Sequence, residues 1–278
     1  MDLDIEHLKT WIGKTRESRD VISPRLANSL AAVLDEAPAL DEGDLPPAGI
    51  HWCLSPDIAP MSSLGPDGHP ARGDFLPPVP LPRRMWAGGA LVFSGEFRVG
   101  DEVIRRSRIA DIALKTGRSG TLCFVTVTHD YLGPRGLVLN ERHDIVYRPL
   151  ETAAGGPSEK TLLPVPERTS YVEASPILLA RYSAATFNGH RIHYDRDYCQ
   201  KEEGYPGLLV HGPLQATLLL RLASQMNQGR PLASFKFRGV FPLFDGGRFS
   251  INAAKAETGF NLWVRSQTGN ATMQAKAH

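Results

Sequence analysis

The segment Leu214–Met226 (LQATLLLRLASQM) is apolar on nearly every side until its last residues, and a helix of that kind has no face to give to water. Something else in the chain must enclose it. Directly after it come four strand-like segments, Phe235–Phe241, Gly247–Ala256, Phe260–Gln267 and Ala271–Lys276. Short turns containing Asp245-Gly246-Gly247, Thr258-Gly259 and Thr268-Gly269-Asn270 separate them, which predicts an antiparallel meander. One buried helix with a meander behind it predicts a sheet wrapped around that helix.

The same order occurs earlier in the chain. Ala90–Phe97, Glu102–Leu114, Leu122–Tyr131 and Leu137–Tyr147 read as a first meander, turned at Gly117–Gly120 and Gly133–Gly136. Before it, Pro24–Leu34 is a helix with Ser23 as its N-cap and proline in the first turn. Gly49–Leu54 (GIHWCL) echoes Leu209–Leu214 (LVHGPL) at the same place relative to its meander. This predicts an internal duplication whose first copy has decayed. Ser55–Pro82, dense in proline, is expected to be a long loop replacing part of the first copy's central helix. Glu151–Pro166, rich in Gly, Pro, Ser and charge, reads as a linker. The expected organisation is therefore residues 1–150, a linker at 151–166, and residues 167–278, two units of ordinary domain size.

Composition excludes several functions. A net charge of +1 gives no reason to expect nucleic acid or an anionic membrane surface. No run approaches the ~20 apolar residues of a membrane-spanning helix, and the acidic start MDLDIEHLK lacks the apolar region of a signal peptide. Three scattered cysteines, Cys53, Cys123 and Cys199, argue against a disulfide framework and for a reducing cytoplasm. There is no Gly-rich nucleotide loop, nucleophile elbow or Cys-x-x-Cys.

Chemistry concentrates at Phe187–Asp195 (FNGHRIHYD) and at His211-Gly212-Pro213, which opens the apolar helix. Imidazole titrates near neutral pH, so His193 and His190 are candidates for proton transfer, with a turn-capping or loop-bonding role as the plain alternative for each. Asn188 can orient water but cannot take its proton, because an amide has no useful basicity. Asp195 either caps the short helix Arg196–Lys201 or handles a proton. His211 is expected to pack at the helix start, while the Gly212 N–H at a helix N-terminus can meet a developing oxyanion. His190, His193, Asp195 and His211 are ligand types that suit zinc, but His-x-x-His outside a helix is a weak pattern and no metal is expected. Most of the arginines at 83, 84, 105, 106, 108 and 118 should be solvated.

The second half resembles the MaoC-like (R)-specific enoyl-CoA hydratases. His193-Tyr194-Asp195 matches the end of that family's Asp-x-Asn-Pro-x-His-x-Asp motif, and Val210–Leu214 (VHGPL) matches its Val-His-Gly-[Met/Pro]-Leu segment. Arg83–Gly89 (RRMWAGG), Arg98–Ile109 (RVGDEVIRRSRI) and Gly117–Val127 (GRSGTLCFVTV) are similar to the double-hotdog branch that includes mesaconyl-C4-CoA and itaconyl-CoA hydratases. The resemblance runs from about Trp11 to the end. It implies an α+β double hotdog, two antiparallel sheets each around a central helix, with the catalytic residues in the second half.

It also implies hydration of an enoyl-CoA, most specifically a C5 dicarboxylyl-CoA giving citramalyl-CoA. A general (R)-hydratase, a hotdog thioesterase and a non-catalytic acyl-CoA-binding protein stand as alternatives. No cofactor is implied beyond the coenzyme A of the substrate, and a homodimer or higher homo-oligomer is expected. The chain departs from the motif in one place. Asn188 stands where the family has its catalytic Asp, so His193 becomes the main base and His190 or Asp195 the second group. One of Arg84, Arg118 and Arg191 is expected to meet a substrate carboxylate, since an unpaired charge in an apolar tunnel is costly.

Overall fold

The computed structural model describes residues 3–117, 120–149 and 163–278. The first half holds α1 (Ile5–Lys9), β1 (Thr15–Val21), α2 (Pro24–Val33), β2 (Arg83–Phe93), β3 (Glu102–Gly117), β4 (Gly120–Gly133) and β5 (Gly136–Arg148). The second holds β6 (Arg168–Glu173), α3 (Pro176–Thr186), α4 (Arg196–Lys201), α5 (Gly212–Met226), β7 (Ser234–Gly239), β8 (Arg248–Lys255), β9 (Phe260–Arg265) and β10 (Ala271–Ala277). The strands form one sheet in the order β1-β3-β4-β5-β2-β7-β10-β9-β8-β6. Outward from the β2–β7 seam, the two halves repeat one another strand for strand. This is the duplication that the repeated pattern predicts, in the double-hotdog form that the resemblance implies.

The duplication extends to the helices. α2 and α3 both open with Ser-Pro, and the Ser23 and Ser175 hydroxyls each accept the backbone N–H three residues on, at 3.2 Å. The two helices pack against each other. The central helix is where the copies part. α5 is buried along its length, from Leu214 to Ala223, and its polar members are paired within the core. Gln215 accepts from the Thr272 hydroxyl at 2.8 Å, and the Thr217 hydroxyl bonds back to the Pro213 carbonyl at 2.9 Å. At the equivalent place in the first half there is only a 3-10 turn at Ile50–Cys53. Residues 55–82 then run on without an α-helix, as their proline content predicts.

Several elements differ from expectation. β2 begins at Arg83, seven residues before the apolar alternation at Ala90 becomes legible, because Arg83 and Arg84 occupy half-buried positions that need not be apolar. β1 (TRESRDV) and β6 (RTSYVE) have no strand signature of their own. They are the outer strands of the sheet, and charge on an edge strand hinders pairing with other chains. Part of the predicted linker, residues 151–162, lies outside the described residues.

The halves join through antiparallel pairing of β2 with β7, from Gly88↔Arg238 to Val92↔Ser234. Glycine is required there. A Cβ at Gly88 would strike the Phe237 carbonyl oxygen, and one at Gly89 would strike the Arg142 carbonyl and the Phe237 ring. Separating the halves would bare β7 as an unpaired edge. A fragment beginning near Pro166 is accordingly expected to aggregate, and a soluble, monodisperse and active fragment on size-exclusion chromatography would refute this.

Candidate active site

The Phe187–Asp195 stretch folds as a chain of local bonds. Phe187 ends α3 in the left-handed region (φ 51°), and the Asn188 N–H reaches back to the Ser183 carbonyl at 2.8 Å. The Asn188 side-chain oxygen accepts the His190 N–H at 2.9 Å, which tightens the turn. A 3-10 turn at Arg191–His193 comes next, and Asp195 caps α4 by accepting from Tyr198 N–H at 3.0 Å.

His193 is buried, with its Nδ1 2.7 Å from the Leu209 carbonyl oxygen. A carbonyl can only accept, so Nδ1 carries the hydrogen and Nε2 presents a lone pair. Burial pushes the His193 pKa down to about 4, outweighing the Leu209 bond that favours the charged form. The ring is therefore neutral at pH 7. It stacks on His211 at 3.5 Å between centroids and 19° between planes. His211, fully buried, shares a 2.8 Å hydrogen bond between its Nε2 and the Ser183 hydroxyl. It forms a platform under His193.

His193, His190, Asn188 and Gly212 line a cavity of about 1210 Å³, into which Arg84 and Trp86 project from the first half. Gly212 is the first residue of α5, so its N–H is among the first-turn donors that no helical carbonyl can satisfy. A Cβ there would lie 3.1 Å from the Trp86 ring, so the absence of a side chain keeps that N–H reachable beside the indole.

The remaining site candidates separate clearly. Asp195 does not line the cavity: Oδ1 caps α4 and Oδ2 accepts from Arg191 Nε and Nη2 at 3.0 and 2.8 Å. The Arg191 guanidinium is thereby occupied, and its Nη1 also donates to the Pro66 carbonyl at 3.0 Å. It acts as a clasp and has little left for a substrate carboxylate. Arg84 lines the cavity, pairs with no carboxylate among the described residues, and is close enough to depress the pKa values of His69 and His190. Arg118 lies outside the described residues.

Two groups of functional type carry no signal in the sequence. One is Asp67 and His69, on the Gly65–Pro70 loop of the first half, which reaches the cavity wall beside His190. The other is a buried polar row across β3, β4 and β5. The Ser107 hydroxyl meets His129 Nδ1 at 2.7 Å, and His129 Nε2 lies 3.3 Å from His143 Nδ1. His143 Nε2 in turn lies 2.6 Å from Glu141, whose carboxylate also accepts from Trp52 Nε1 at 2.6 Å and the Tyr131 hydroxyl at 2.9 Å. Those strands are legible in the sequence, but their register, which sets Ser107 opposite His129 and His129 opposite Glu141, is not.

A model of the family of hydroxyacyl-thioester dehydratase type 2 matches residues 49–245, which spans the seam, the cavity and α5. The chain belongs to that family. It is 42% identical over 267 residues to a mesaconyl-C(4)-CoA hydratase of Chloroflexus aurantiacus, covering 95% of each chain. Among solved structures, a MaoC-like dehydratase from Phytophthora capsici superposes with a TM-score of 0.70 at 15% identity, covering 99% of both chains. A Mycobacterium tuberculosis protein described as a double hotdog superposes with a TM-score of 0.58 at 13% identity, covering 96% of this chain and 95% of that one.

As a member of this family the protein is an enzyme, a hydro-lyase of the enoyl-CoA hydratase type. The cavity wall brings together a neutral imidazole with a free lone pair, His193, and the first residue of α5, Gly212. No helix among the described residues is long and apolar enough to cross a membrane.

Proposed function

We propose that the protein reversibly hydrates a C5 dicarboxylyl-CoA, with mesaconyl-C4-CoA converted to citramalyl-CoA. In this reading His193 Nε2 takes a proton from water as the oxygen bonds to Cβ. The π pair moves toward the thioester, whose oxygen gathers charge against the Gly212 N–H, and Cα then takes up a proton. The α5 dipole and the low-dielectric cavity strengthen the Gly212 interaction as charge develops. Burial of His193 keeps it unprotonated until the enolate forms beside it.

The observation that carries the substrate assignment is Arg84, a cationic side chain in the cavity wall with no carboxylate partner among the described residues. In mesaconyl-C4-CoA the free carboxylate sits on Cβ, the carbon that water attacks, and Arg84 lies close to the imidazoles that would surround that carbon. The 42% identity to a mesaconyl-C(4)-CoA hydratase supports the same reading.

Hydration rates across mesaconyl-C4-, itaconyl-, crotonyl- and long-chain enoyl-CoA test it, with free thiol measured in parallel. A higher kcat/KM on crotonyl- or long-chain enoyl-CoA than on either C5 substrate would replace it with a general hydratase. Thiol release outpacing loss of the enoyl absorbance would replace it with a thioesterase. Arg84→Met is expected to raise KM for mesaconyl-C4-CoA by at least ~10-fold and to leave crotonyl-CoA nearly unaffected, since a charge-assisted hydrogen bond is worth about 1.5–3 kcal/mol. Equal effects on both substrates would remove Arg84 from this role.

A further inference from the structure

We propose that His69, contributed by the first half and held by Asp67, is a catalytic residue: the second proton-handling group of the site, working across from His193. This rests on the hydratase reading above. The motif itself leaves the role open. Asn188 is not a base, and its oxygen is occupied by the His190 N–H. Asp195 faces away from the cavity, engaged by Tyr198 and Arg191. His190 lines the cavity between the other two imidazoles, but the motif gives its ring no carboxylate partner, and a carboxylate-held imidazole comes from another part of the fold.

The Gly65–Pro70 loop is built into the motif. The Arg191 N–H donates to the Asp67 carbonyl at 2.9 Å, and Arg191 Nη1 donates to the Pro66 carbonyl. Gly68, at φ +86°, packs so closely on Gly189 that a Cβ on Gly68 would run into the Gly189 carbonyl oxygen. The loop therefore has one seat, directly on the catalytic stretch. Asp67 then fixes His69 twice: Oδ1 accepts the His69 backbone N–H at 3.0 Å, and Oδ2 lies 3.1 Å from Nδ1. A carboxylate accepts, so Nδ1 is the protonated nitrogen and Nε2 is free to exchange a proton in the cavity that His69 lines. From there the imidazoles run in a row. The His69 ring is 4.2 Å from His190, and His190 is 5.5 Å from His193.

The proton balance closes with these groups alone. In hydration, His193 Nε2 takes a proton from water as the Cβ–O bond forms. The imidazolium of His69, paired with the Asp67 carboxylate, gives its Nε2 proton to Cα, where the former π pair becomes the Cα–H bond. His193 is left protonated and His69 neutral, and one proton returns from His193 to His69 through His190 or water. Dehydration runs the same steps backward, with His69 removing the Cα proton. Burial, with Arg84 and Arg72 adding to it, lowers the His69 pKa, and the Asp67 carboxylate bonded to Nδ1 opposes them and is what sustains the imidazolium form; the neighbouring imidazole of His190 is the other titratable group beside it.

The test starts from the wild-type enzyme on whichever enoyl-CoA it hydrates fastest. No turnover on any of them would sink the hydratase reading itself. With turnover in hand, His69→Gln is expected to lower kcat at least ~100-fold while KM stays within ~3-fold. It should also abolish exchange of the product's Cα hydrogen with deuterium from solvent, which a purely structural residue would not control. Asp67→Asn, closer in shape and the fallback should His69→Gln not fold, is expected to move the alkaline limb of the kcat/KM profile to lower pH, because the imidazolium loses its anion. Wild-type kcat and exchange in His69→Gln, or an unmoved profile in Asp67→Asn, would overturn the proposal. So would activity lost to a chelator and restored by zinc, because Asp67, His69 and His190 each place a ligand atom within 4.8 Å of the others.

Discussion

Replacing His193 by alanine is expected to cost at least ~100-fold in kcat, with the fold intact. General acid–base catalysis by one positioned side chain contributes roughly 10²–10⁴-fold, and His193 is the imidazole in the motif whose tautomer is fixed toward the cavity by a carbonyl, Leu209. Loss of the ring also removes one face of the His193–His211 stack, so a modest fall in thermal stability should accompany the kinetic loss. A truncation of a buried side chain of this size costs a few kcal/mol at most. The two effects are separable: kcat is read at saturating substrate below the melting transition. A folded His193→Ala enzyme with near-normal kcat would place the base elsewhere.

The second large effect is on stability. Burial pushes the pKa of His51 and of His193 down to about 4 and that of His129 to about 3, and it lowers those of His190 and His211 as well. For His51 and His129 the nearby Glu141 pulls the other way and loses. Between pH 6.5 and about 4 the unfolded chain therefore binds protons that the folded chain refuses. Stability must fall as pH falls through that window, by up to about 1.4 kcal/mol per pH unit for each such histidine. Between pH 7.5 and 5.5, His51, His129 and His193 together remove roughly 4 kcal/mol, against a total of about 5–15 kcal/mol for an ordinary domain. Glu141, ionised and held well below the usual carboxylate range by His143 and its other neighbours, adds a further loss only at lower pH. The expected result is a Tm roughly 10 °C lower at pH 5.5 than at pH 7.5 by calorimetry. A flat Tm over that range would show that these rings are not held neutral in the folded protein.

Local chemistry was written plainly in the sequence. The apolar helix at Leu214–Met226, the meander after it, the Ser23-Pro24 helix start and the loss of the first central helix all stem from periodicity, capping and proline content, which neighbours along the chain decide. His193 and Gly212 were legible for the same reason, as a motif and a helix start close together in sequence.

What tertiary structure alone decided is which residues from distant segments share the cavity, and what each is left free to do. Arg191 sits inside the motif, yet its guanidinium is spent on Asp195 and Pro66, while Arg84, more than a hundred residues away, stands in the cavity wall with no carboxylate partner among the described residues. Asp67 and His69 lie in a proline-rich loop with no periodicity, and the seat of Gly68 on Gly189 together with the Arg191 bonds to Asp67 and Pro66 carries them to the Phe187–Asp195 stretch. The row from Ser107 through His129 and His143 to Glu141 exists because three strands pair in one register. A sequence specifies its turns, caps and apolar faces within a few residues. Charge pairing, cavity walls and strand register depend on which distant surfaces bury each other, and those are settled only when the two halves close along β2 and β7.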